Sequence, residues 1–360
     1  MSATPPRGFH ELTIAAVEPE TADGVAVRFQ VPDALREAFA FEPGQYLTLR
    51  TVRDGAELRR SYSICTAPHD DTVGVGIKRV PGGAFSTLAQ SWKRGDRVQA
   101  MAPQGRFCLN GAPGENVLLV ASGSGITPCL SIARAVLERS PGRVTLLYGN
   151  RETGSIMFRA ALDALKDRFP DRLRTFHYLS RERQDVAFLS RRLDGQAVLD
   201  LAQRGQLHVG AHDVAFVCGP GGMIDSVEHA LAELGMAMDS IRTERFTAAG
   251  QPVPAPPPAM PGGSDAAAAT VEIVLDGASR TVPMDPSAET VLSAAQREGL
   301  DVPWSCAGGM CCTCRCKVTD GTATMDVNYS LQDWEIEAGF VLACQARPTG
   351  RRLAVDFDAT

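Results

Sequence analysis

Half of the ten cysteines crowd into eleven residues near the end of the chain, and their spacing predicts an iron–sulfur centre. The stretch PWSCAGGMCCTCRCKV contains C-x4-C-x2-C at Cys306, Cys311 and Cys314, and Cys344 follows in LACQARP. Four thiolates with this spacing are typical of the plant-type [2Fe–2S] cluster. One loop and one distant strand would then wrap the two irons together.

Two further cysteines, Cys312 and Cys316, lie in the same loop and leave a zinc site as the main alternative. A structural zinc site usually needs two Cys or His pairs, and no histidine follows His229. The C-x2-C-x2-C run of a [4Fe–4S] ferredoxin is also missing. The pattern therefore favours [2Fe–2S], with Cys312 and Cys316 packed or facing solvent. Gly308 and Gly309 would let backbone N–H groups reach the sulfurs and tune the potential.

Two short motifs earlier in the chain suit a flavin nucleotide. Arg60-Ser61-Tyr62-Ser63 ends a predicted strand, so a cation, an aromatic ring and a hydroxyl could meet a phosphate, a flavin face and the reactive ring nitrogen. One strand later, Gly82-Gly83-Ala84-Phe85-Ser86-Thr87 opens a predicted helix, where exposed amides suit a pyrophosphate. Either motif alone is weak, but the two in this order are much more specific.

A glycine turn in the middle of the chain suits a second dinucleotide. Ala121-Ser122-Gly123-Ser124-Gly125-Ile126-Thr127-Pro128 follows an apolar strand and precedes a helix. Such a turn lets a pyrophosphate approach the backbone, although Pro128 departs from the full G-x-G-x-x-G pattern. Cys218-Gly219-Pro220 ends a later strand of the same predicted sheet, which favours a cleft at the carboxyl ends of the strands.

The elements around these motifs divide the chain into three predicted domains. Residues 8–112 hold short β-type runs separated by Pro and Gly turns, which favours an antiparallel barrel. The predicted strands there cover 24–31, 45–52, 57–64 and 72–80. Residues 113–246 alternate apolar strands with helical patterns, which indicates an α/β domain with a parallel sheet. Residues 271–360 begin with a hairpin around Asp276-Gly277 and a short helix.

A linker is predicted for residues 247–270, TAAGQPVPAPPPAMPGGSDAAAAT, because Pro, Ala and Gly cannot build a core. Such a linker would let the last domain move. That domain is also acidic, because residues 271–360 carry thirteen acidic and seven basic side chains and account for the whole net charge of −6. The acidity favours either a docking surface or plain solubility.

The overall composition excludes several classes of function. A pI of about 5.6 gives no support for nucleic-acid binding. No run of eighteen apolar residues exists, so no membrane span is expected. The start, MSATPPRGFHELT, has no apolar signal region, and the clustered cysteines suit a reducing compartment, so a cytoplasmic protein is expected.

Together these motifs resemble the ferredoxin–NADP⁺ reductase superfamily, in members fused to a plant-type ferredoxin. A last family marker, a Glu-x-aromatic strand end, is present as Glu244-Arg245-Phe246. The resemblance covers nearly the whole chain. It implies an FAD-binding antiparallel β-barrel, an NAD(P)-binding α/β domain with a parallel sheet, and an α+β ferredoxin domain of the β-grasp type.

The resemblance also implies roles for individual positions. Ser63, Cys218 and Glu244 would stand where hydride is transferred, with Ser63 near flavin N5. The positions expected to bind FAD, or to lie beside it, are Arg60, Ser61, Tyr62, Ser63, Ile77, Lys78, Gly83, Ser86, Thr87 and Phe246. Those expected to bind the nicotinamide dinucleotide are Gly123, Gly125, Thr127, Arg151, Ser180, Arg181, Cys218 and Gly219.

NADPH is the expected electron donor, with NADH possible. Ser180-Arg181 matches the pair that holds the 2′-phosphate in NADP-linked relatives, and Arg151 in YGNR could add charge. The alternative is a solvated loop. A closer resemblance, in stretches such as PGQYLTL, LRRSYSIC and GFVLACQA, implies a di-iron oxygenase component of a multicomponent monooxygenase as the acceptor. A Rieske dioxygenase, a steroid hydroxylase or a cytochrome stays open, as does a non-enzymatic redox sensor.

Overall fold

The computed structural model describes residues 8–53, 55–109, 115–246 and 269–359, which form two compact units. The first unit ends at Gly250, and the second contains the cysteine loop. The predicted linker, residues 247–270, lies outside the described residues except for its last two positions. Those two, Ala269 and Thr270, already belong to a strand because they pair with Met284 and Pro283. Within the described ranges, no helix is long and apolar enough to cross a membrane.

The first domain is an antiparallel six-stranded barrel, as predicted. Its elements are β1 (Phe9–Thr21), β2 (Gly24–Gln30), β3 (Tyr46–Arg53), β4 (Ala56–Ser63), β5 (Val73–Lys78), α1 (Ala84–Ala89) and β6 (Arg97–Met101). The strand order is β4-β3-β6-β1-β2-β5. The two outer strands meet just beyond β4, where Ile64 bridges to Val75 and Cys65 N–H donates to Gly74 O at 2.9 Å. This closure places the end of β4 beside β5.

The second domain is a parallel five-stranded sheet, also as predicted. Its elements are β7 (Val117–Ser122), α2 (Ile126–Arg139), β8 (Val144–Asn150), α3 (Arg159–Arg168), β9 (Leu173–Leu179), α4 (Gly195–Gln203), β10 (Val214–Gly219), α5 (Gly221–Glu233) and β11 (Ile241–Arg245). The order is β11-β10-β7-β8-β9. Strands β7 and β10 are continuous apolar runs because the sheet is covered on both faces. All five strands end at one edge, where the predicted dinucleotide residues lie.

The second unit is a mixed five-stranded sheet packed on a helix, which is the expected α+β arrangement. Its elements are β12 (Ala269–Leu275), β13 (Ala278–Met284), α6 (Val291–Arg297), β14 (Arg315–Met325), α7 (Asp333–Glu337), β15 (Phe340–Leu342) and β16 (Ala346–Asp356). The order is β13-β12-β16-β14-β15, with β12 and β16 parallel. The predicted hairpin turn is present, and Asp276 and Gly277 both have positive φ. The cysteine loop runs between α6 and β14.

Candidate functional site

Three predicted residues of the first unit meet at one point. Ser63 is the last residue of β4, while Cys218 and Glu244 are paired neighbours on the parallel strands β10 and β11. The Ser63 hydroxyl donates to Glu244 Oε2 at 3.2 Å. The Cys218 thiol donates to the same oxygen at 3.9 Å. The barrel and the sheet therefore share one carboxylate, where the sequence motifs predicted hydride transfer.

The Glu244 carboxyl group is a weaker acid than an ordinary glutamate side chain. Burial raises its pKa to about 7, against the opposing effect of the hydrogen bonds from Ser63 and Cys218. The same burial, with the nearby Glu244 charge, holds the pKa of Cys218 well above its ordinary value. Cys218 is therefore a neutral thiol at physiological pH. A carboxyl group poised near neutrality can hold or release a proton there.

The Arg60–Ser63 segment lies along α1. The Tyr62 ring packs on Phe85 with centroids 5.6 Å apart, and burial raises the Tyr62 pKa. The Arg60 side chain is exposed and donates to Arg59 O at 2.6 Å, so its remaining N–H groups can reach a phosphate. Ser61 Oγ lies 3.3 Å from Thr48 Oγ1. An exposed cation, an aromatic face and a buried hydroxyl thus follow one another on β4, which fits a flavin nucleotide.

A glycine turn leads directly into α1, as the sequence predicted. Gly83 caps α1, and Ser86 Oγ accepts from Val80 N at 3.0 Å, so this hydroxyl holds the turn in shape. The Thr87 side chain is exposed. The two β5 residues differ from each other: the Ile77 side chain is buried in the barrel core, and Lys78 Nζ lies 3.7 Å from Asp23 Oδ1. Ile77 could therefore contact a cofactor only through its backbone.

The glycine turn after β7 is pressed against the neighbouring strand. A Cβ on Gly125 would collide with the backbone carbonyl of Cys218, so only glycine fits there. Gly123 has φ of +56°, and its carbonyl accepts from the Tyr148 hydroxyl at 3.0 Å. Thr127 Oγ1 donates to Ser124 O at 2.9 Å. Gly123 thus faces open space while Gly125 is packed against β10, which suits the approach of a pyrophosphate to this turn.

One contact between barrel and sheet was not predicted from the sequence. A Cβ on Gly76 of β5 would collide with Thr127, and would stand 2.9 Å from Phe158 Cζ. Phe158 itself has a positive φ, and its N–H donates to Glu20 at 2.7 Å. The alternating glycines in VGVGIK were a visible signal, because glycine in a strand often marks a close backbone approach.

The outer end of the sheet carries the residues expected to choose between dinucleotides. Ser180 N–H donates to Asn150 O at 3.0 Å, and Arg181 N–H to Arg151 O at 2.8 Å, so the two loops run side by side. The Arg151 and Arg181 side chains are exposed, and neither guanidinium has a hydrogen-bond partner within the described ranges. Phe246 lies at the other end, where its N–H donates to Gly219 O at 3.0 Å.

The four predicted cluster ligands lie in two pairs. Cys306 and Cys311 contact each other, with Cys306 N–H 3.4 Å from Cys311 Sγ and Cys311 N–H 3.4 Å from Cys306 Sγ. Cys314 and Cys344 form the second pair, and their mutual hydrogen bond lowers the pKa of Cys344. Among residues 8–53, 55–109, 115–246 and 269–359, no three His, Cys, Asp or Glu side chains could hold one metal ion. Two pairs of thiols fit two irons that each take two cysteines.

Backbone donors surround the first pair. The Cys311 thiol lowers the pKa of Cys306 to about 5 despite burial, and the N–H groups of Gly308, Met310 and Cys311 add to this effect. Gly308 N–H lies 3.3 Å from Cys306 Sγ. These donors favour the thiolate that a metal needs, and Gly308 fulfils the role predicted for it.

The two remaining cysteines of this segment, Cys312 and Cys316, contact residues outside the two pairs. Cys316 is buried in the core, with Sγ 3.9 Å from Val341 O. The Cys312 thiol donates to Ser330 Oγ at 3.0 Å. Neither belongs to the two pairs, as expected from the spacing.

Three protein-family models match the chain in succession. An oxidoreductase FAD-binding domain matches residues 11–108, an oxidoreductase NAD-binding domain matches 119–229, and a 2Fe-2S iron-sulfur cluster binding domain matches 273–349. Each matched range contains the motif that predicted the corresponding cofactor.

Two full-length relatives are similar to the chain from end to end. One component of 1,2-phenylacetyl-CoA epoxidase from Escherichia coli K12 is 42% identical over 98% of both chains. The ferredoxin reductase component of 3-ketosteroid-9-alpha-monooxygenase from Rhodococcus rhodochrous is 36% identical over 96% of both chains. The first relative is thus a component of an epoxidase, and the second is the reductase component of a monooxygenase.

A solved structure supports the fold. Phthalate dioxygenase reductase, a modular structure for electron transfer from pyridine nucleotides to [2Fe-2S], aligns over 97% of this chain and 98% of its own. The TM-score is 0.58 and the identity 24%, so this likeness concerns the fold alone.

Proposed function

The chain belongs to the family of oxygenase reductases with FAD-, NAD- and [2Fe–2S]-binding domains, and we propose that it serves a di-iron epoxidase of phenylacetyl-CoA. It is an NAD(P)H-dependent oxidoreductase that transfers electrons through FAD and a [2Fe–2S] cluster to an oxygenase. The observation that carries the proposed partner is the end-to-end identity of 42% with the epoxidase component, against 36% with the ketosteroid component.

When bound, the cofactors would supply the redox chemistry by which the two electrons of one hydride leave one at a time, while the protein supplies position and electrostatics. We assign the central role to the Ser63–Glu244–Cys218 group. Ser63 holds the Glu244 carboxylate by its hydrogen bond and offers a hydroxyl at the flavin edge. Glu244, with a pKa of about 7, holds or releases a proton beside it. Cys218, a buried neutral thiol, shapes the nicotinamide position by its bulk.

The remaining site residues divide by the part of a cofactor that their chemistry suits. Arg60 near the end of β4 and Thr87 within α1 both have exposed side chains, which suits the FAD pyrophosphate. Tyr62 and Phe246 offer aromatic faces to the flavin. We assign Ser61, Ile77, Lys78, Gly83 and Ser86 to the same flavin nucleotide site. We assign the nicotinamide dinucleotide to the turn after β7, with Gly123, Gly125 and Thr127, and to Gly219 at the end of β10. Its 2′-phosphate is assigned to the loops after β8 and β9, with Arg151, Ser180 and Arg181.

NADPH is the proposed donor because two exposed arginines lie at the outer end of the sheet. A guanidinium binds a phosphate by paired, charge-assisted hydrogen bonds, which the ribose hydroxyl of NADH cannot match. We further propose domain limits of 8–112, 113–246 and 271–360, joined by the linker 247–270, and a cytoplasmic location. A linker rich in Pro and Ala would let the cluster domain reach its acceptor.

The acceptor is tested with purified components. The chain and the oxygenase component of a phenylacetyl-CoA epoxidase should support NADPH-dependent epoxidation of phenylacetyl-CoA. A parallel assay would use the oxygenase component of a 3-ketosteroid monooxygenase, the second candidate partner, because of the 36% identity with its reductase. Faster turnover with the steroid system would replace the proposed acceptor. Raising the salt concentration should weaken either coupling, because the cluster domain carries the net negative charge.

A further inference from the structure

Thr153 and Glu182 join the two loops at the outer end of the parallel sheet. Thr153 N–H donates to Glu182 Oε2 at 2.6 Å, and the Thr153 hydroxyl donates to Glu182 Oε1 at 2.7 Å. Both carboxylate oxygens are therefore engaged by one residue. The bond from the Thr153 N–H, followed by that from its hydroxyl, lowers the pKa of Glu182, so the group is a held carboxylate at neutral pH.

This pair lies next to the two arginines of the proposed phosphate-binding end. Arg151 precedes Thr153 by two positions, and Arg181 precedes Glu182 by one. The backbone ladder between β8 and β9 continues beyond both strands, through Ser180 to Asn150 and Arg181 to Arg151. The Thr153–Glu182 bonds are the next link of that ladder. They fix the spacing of the loops from which both guanidiniums extend.

An acidic residue at this edge of a dinucleotide-binding sheet has two opposite uses. In NAD-selective sites a carboxylate accepts from the ribose 2′-hydroxyl. Beside two arginines, a free carboxylate would instead repel a 2′-phosphate or form ion pairs with the arginines. Thr153 instead fixes the position of the Glu182 carboxylate with two hydrogen bonds, while the carboxylate keeps its negative charge.

We infer that Thr153 and Glu182 are positioning residues that brace Arg151 and Arg181 for a dinucleotide bearing a 2′-phosphate. The hydrogen bonds from Thr153 keep the Glu182 carboxylate away from the ribose. By accepting these bonds, Glu182 holds the loops that carry Arg151 and Arg181 at a fixed spacing. This inference rests on the proposed preference for NADPH and gives the acidic residue a structural role beside the proposed phosphate site.

The test compares two ligands that differ only in the 2′-phosphate. Isothermal titration of the full chain with 2′,5′-ADP and with 5′-AMP needs no turnover and no particular state of the cluster. The wild-type chain should bind 2′,5′-ADP more tightly by about tenfold or more. Thr153→Val, an isosteric change that removes one bond, and Glu182→Ala, which removes both, should each reduce that ratio by about threefold or more. Their affinity for 5′-AMP should not change.

A matched control removes the same charge elsewhere in the domain. Glu233 is exposed at the end of α5, on the opposite edge of the sheet, so Glu233→Ala should leave both affinities as in the wild type. A weaker 5′-AMP complex in Glu182→Ala would show that Glu182 binds ribose directly, and a tighter 2′,5′-ADP complex would show that it repels phosphate. Either result, or an unchanged ratio, overturns the brace. A wild-type chain with no preference for 2′,5′-ADP overturns the NADPH preference and the brace with it.

Discussion

The Ser63 hydroxyl donates to Glu244 Oε2 at 3.2 Å, linking the end of a barrel strand to a sheet strand 181 positions later. The bond joins the two domains that bind the flavin and the nicotinamide. It also lowers the pKa of a carboxylate that burial holds near 7. The proposed hydride site is thus assembled from both domains.

Ser63→Ala should slow reduction of the flavin by NADPH by about tenfold or more, because a hydroxyl beside the reacting atoms and its bond to Glu244 are both lost. Stopped-flow absorbance measures this rate. The cluster spectrum should be unaffected. Ser91→Ala is the control, since this exposed serine only donates to Leu88 O. An unchanged rate in Ser63→Ala would refute the role given to this hydroxyl.

Glu244→Gln should change how stability depends on pH. The folded pKa of about 7 lies above the ordinary value of 4.5, so the folded state binds the proton more tightly than the unfolded state. The free energy of unfolding therefore falls as pH rises from 4.5 to about 7, by at most about 3 kcal/mol. Glutamine does not titrate, so the free energy of unfolding of the variant should not fall in this way. The variant should therefore be more stable than the wild type near pH 7.5. Thermal release of flavin fluorescence at pH 5 to 8 checks the trend, and parallel curves would contradict it.

Gly125→Ala should weaken dinucleotide binding and lower stability by about 1–3 kcal/mol, because the new methyl group meets the Cys218 carbonyl. The turn after β7 must then shift away from β10. Gly210→Ala is the matched change in open space and should be nearly neutral. Titration with NADP⁺ and thermal melts of both variants measure the two effects. Equal NADP⁺ affinities and equal melting temperatures for the two variants would contradict the close packing of the turn at Gly125.

Cys314→Ser should abolish the visible absorption of the [2Fe–2S] cluster, because one of the two irons loses a thiolate. Cys312→Ser and Cys316→Ser should retain it, since these thiols contact Ser330 and Val341 instead. Iron content and absorbance of the purified variants measure the outcome. A bleached Cys312→Ser variant together with a coloured Cys314→Ser variant would reverse the ligand assignment.

The sequence was sufficient for much of the fold because its local signals agree with the tertiary structure. The continuous apolar runs of β7 and β10 and the α2 pattern predicted the parallel sheet. Strand β1 was not predicted, because its pairing with β2 shifts register between Ile14 and Ala16 and again between Pro19 and Thr21. Such bulges break the two-residue alternation on which strand prediction depends.

Parts of the site had no sequence signal. The cysteine spacing was enough to predict the cluster ligands, because three of the four lie within nine residues of one another. The shared Glu244 carboxylate could not be derived from spacing, since Ser63 and Glu244 meet only when the barrel packs on the sheet. The Thr153–Glu182 hydrogen bonds had no sequence signal either. Thr153 follows β8 and Glu182 follows β9, and the sequence does not show that these two strands are neighbours in the sheet. Tertiary contacts of this kind are set by packing and not by local pattern.

An anaerobic titration with NADPH, followed by absorbance and by electron paramagnetic resonance, tests the central claim most directly. If the chain passes hydride electrons through FAD to the cluster, both centres should be reduced after about 1.5 equivalents of NADPH, with a paramagnetic reduced-cluster signal. A titration that ends at one equivalent, with the flavin bleached and the cluster still oxidised, would contradict it.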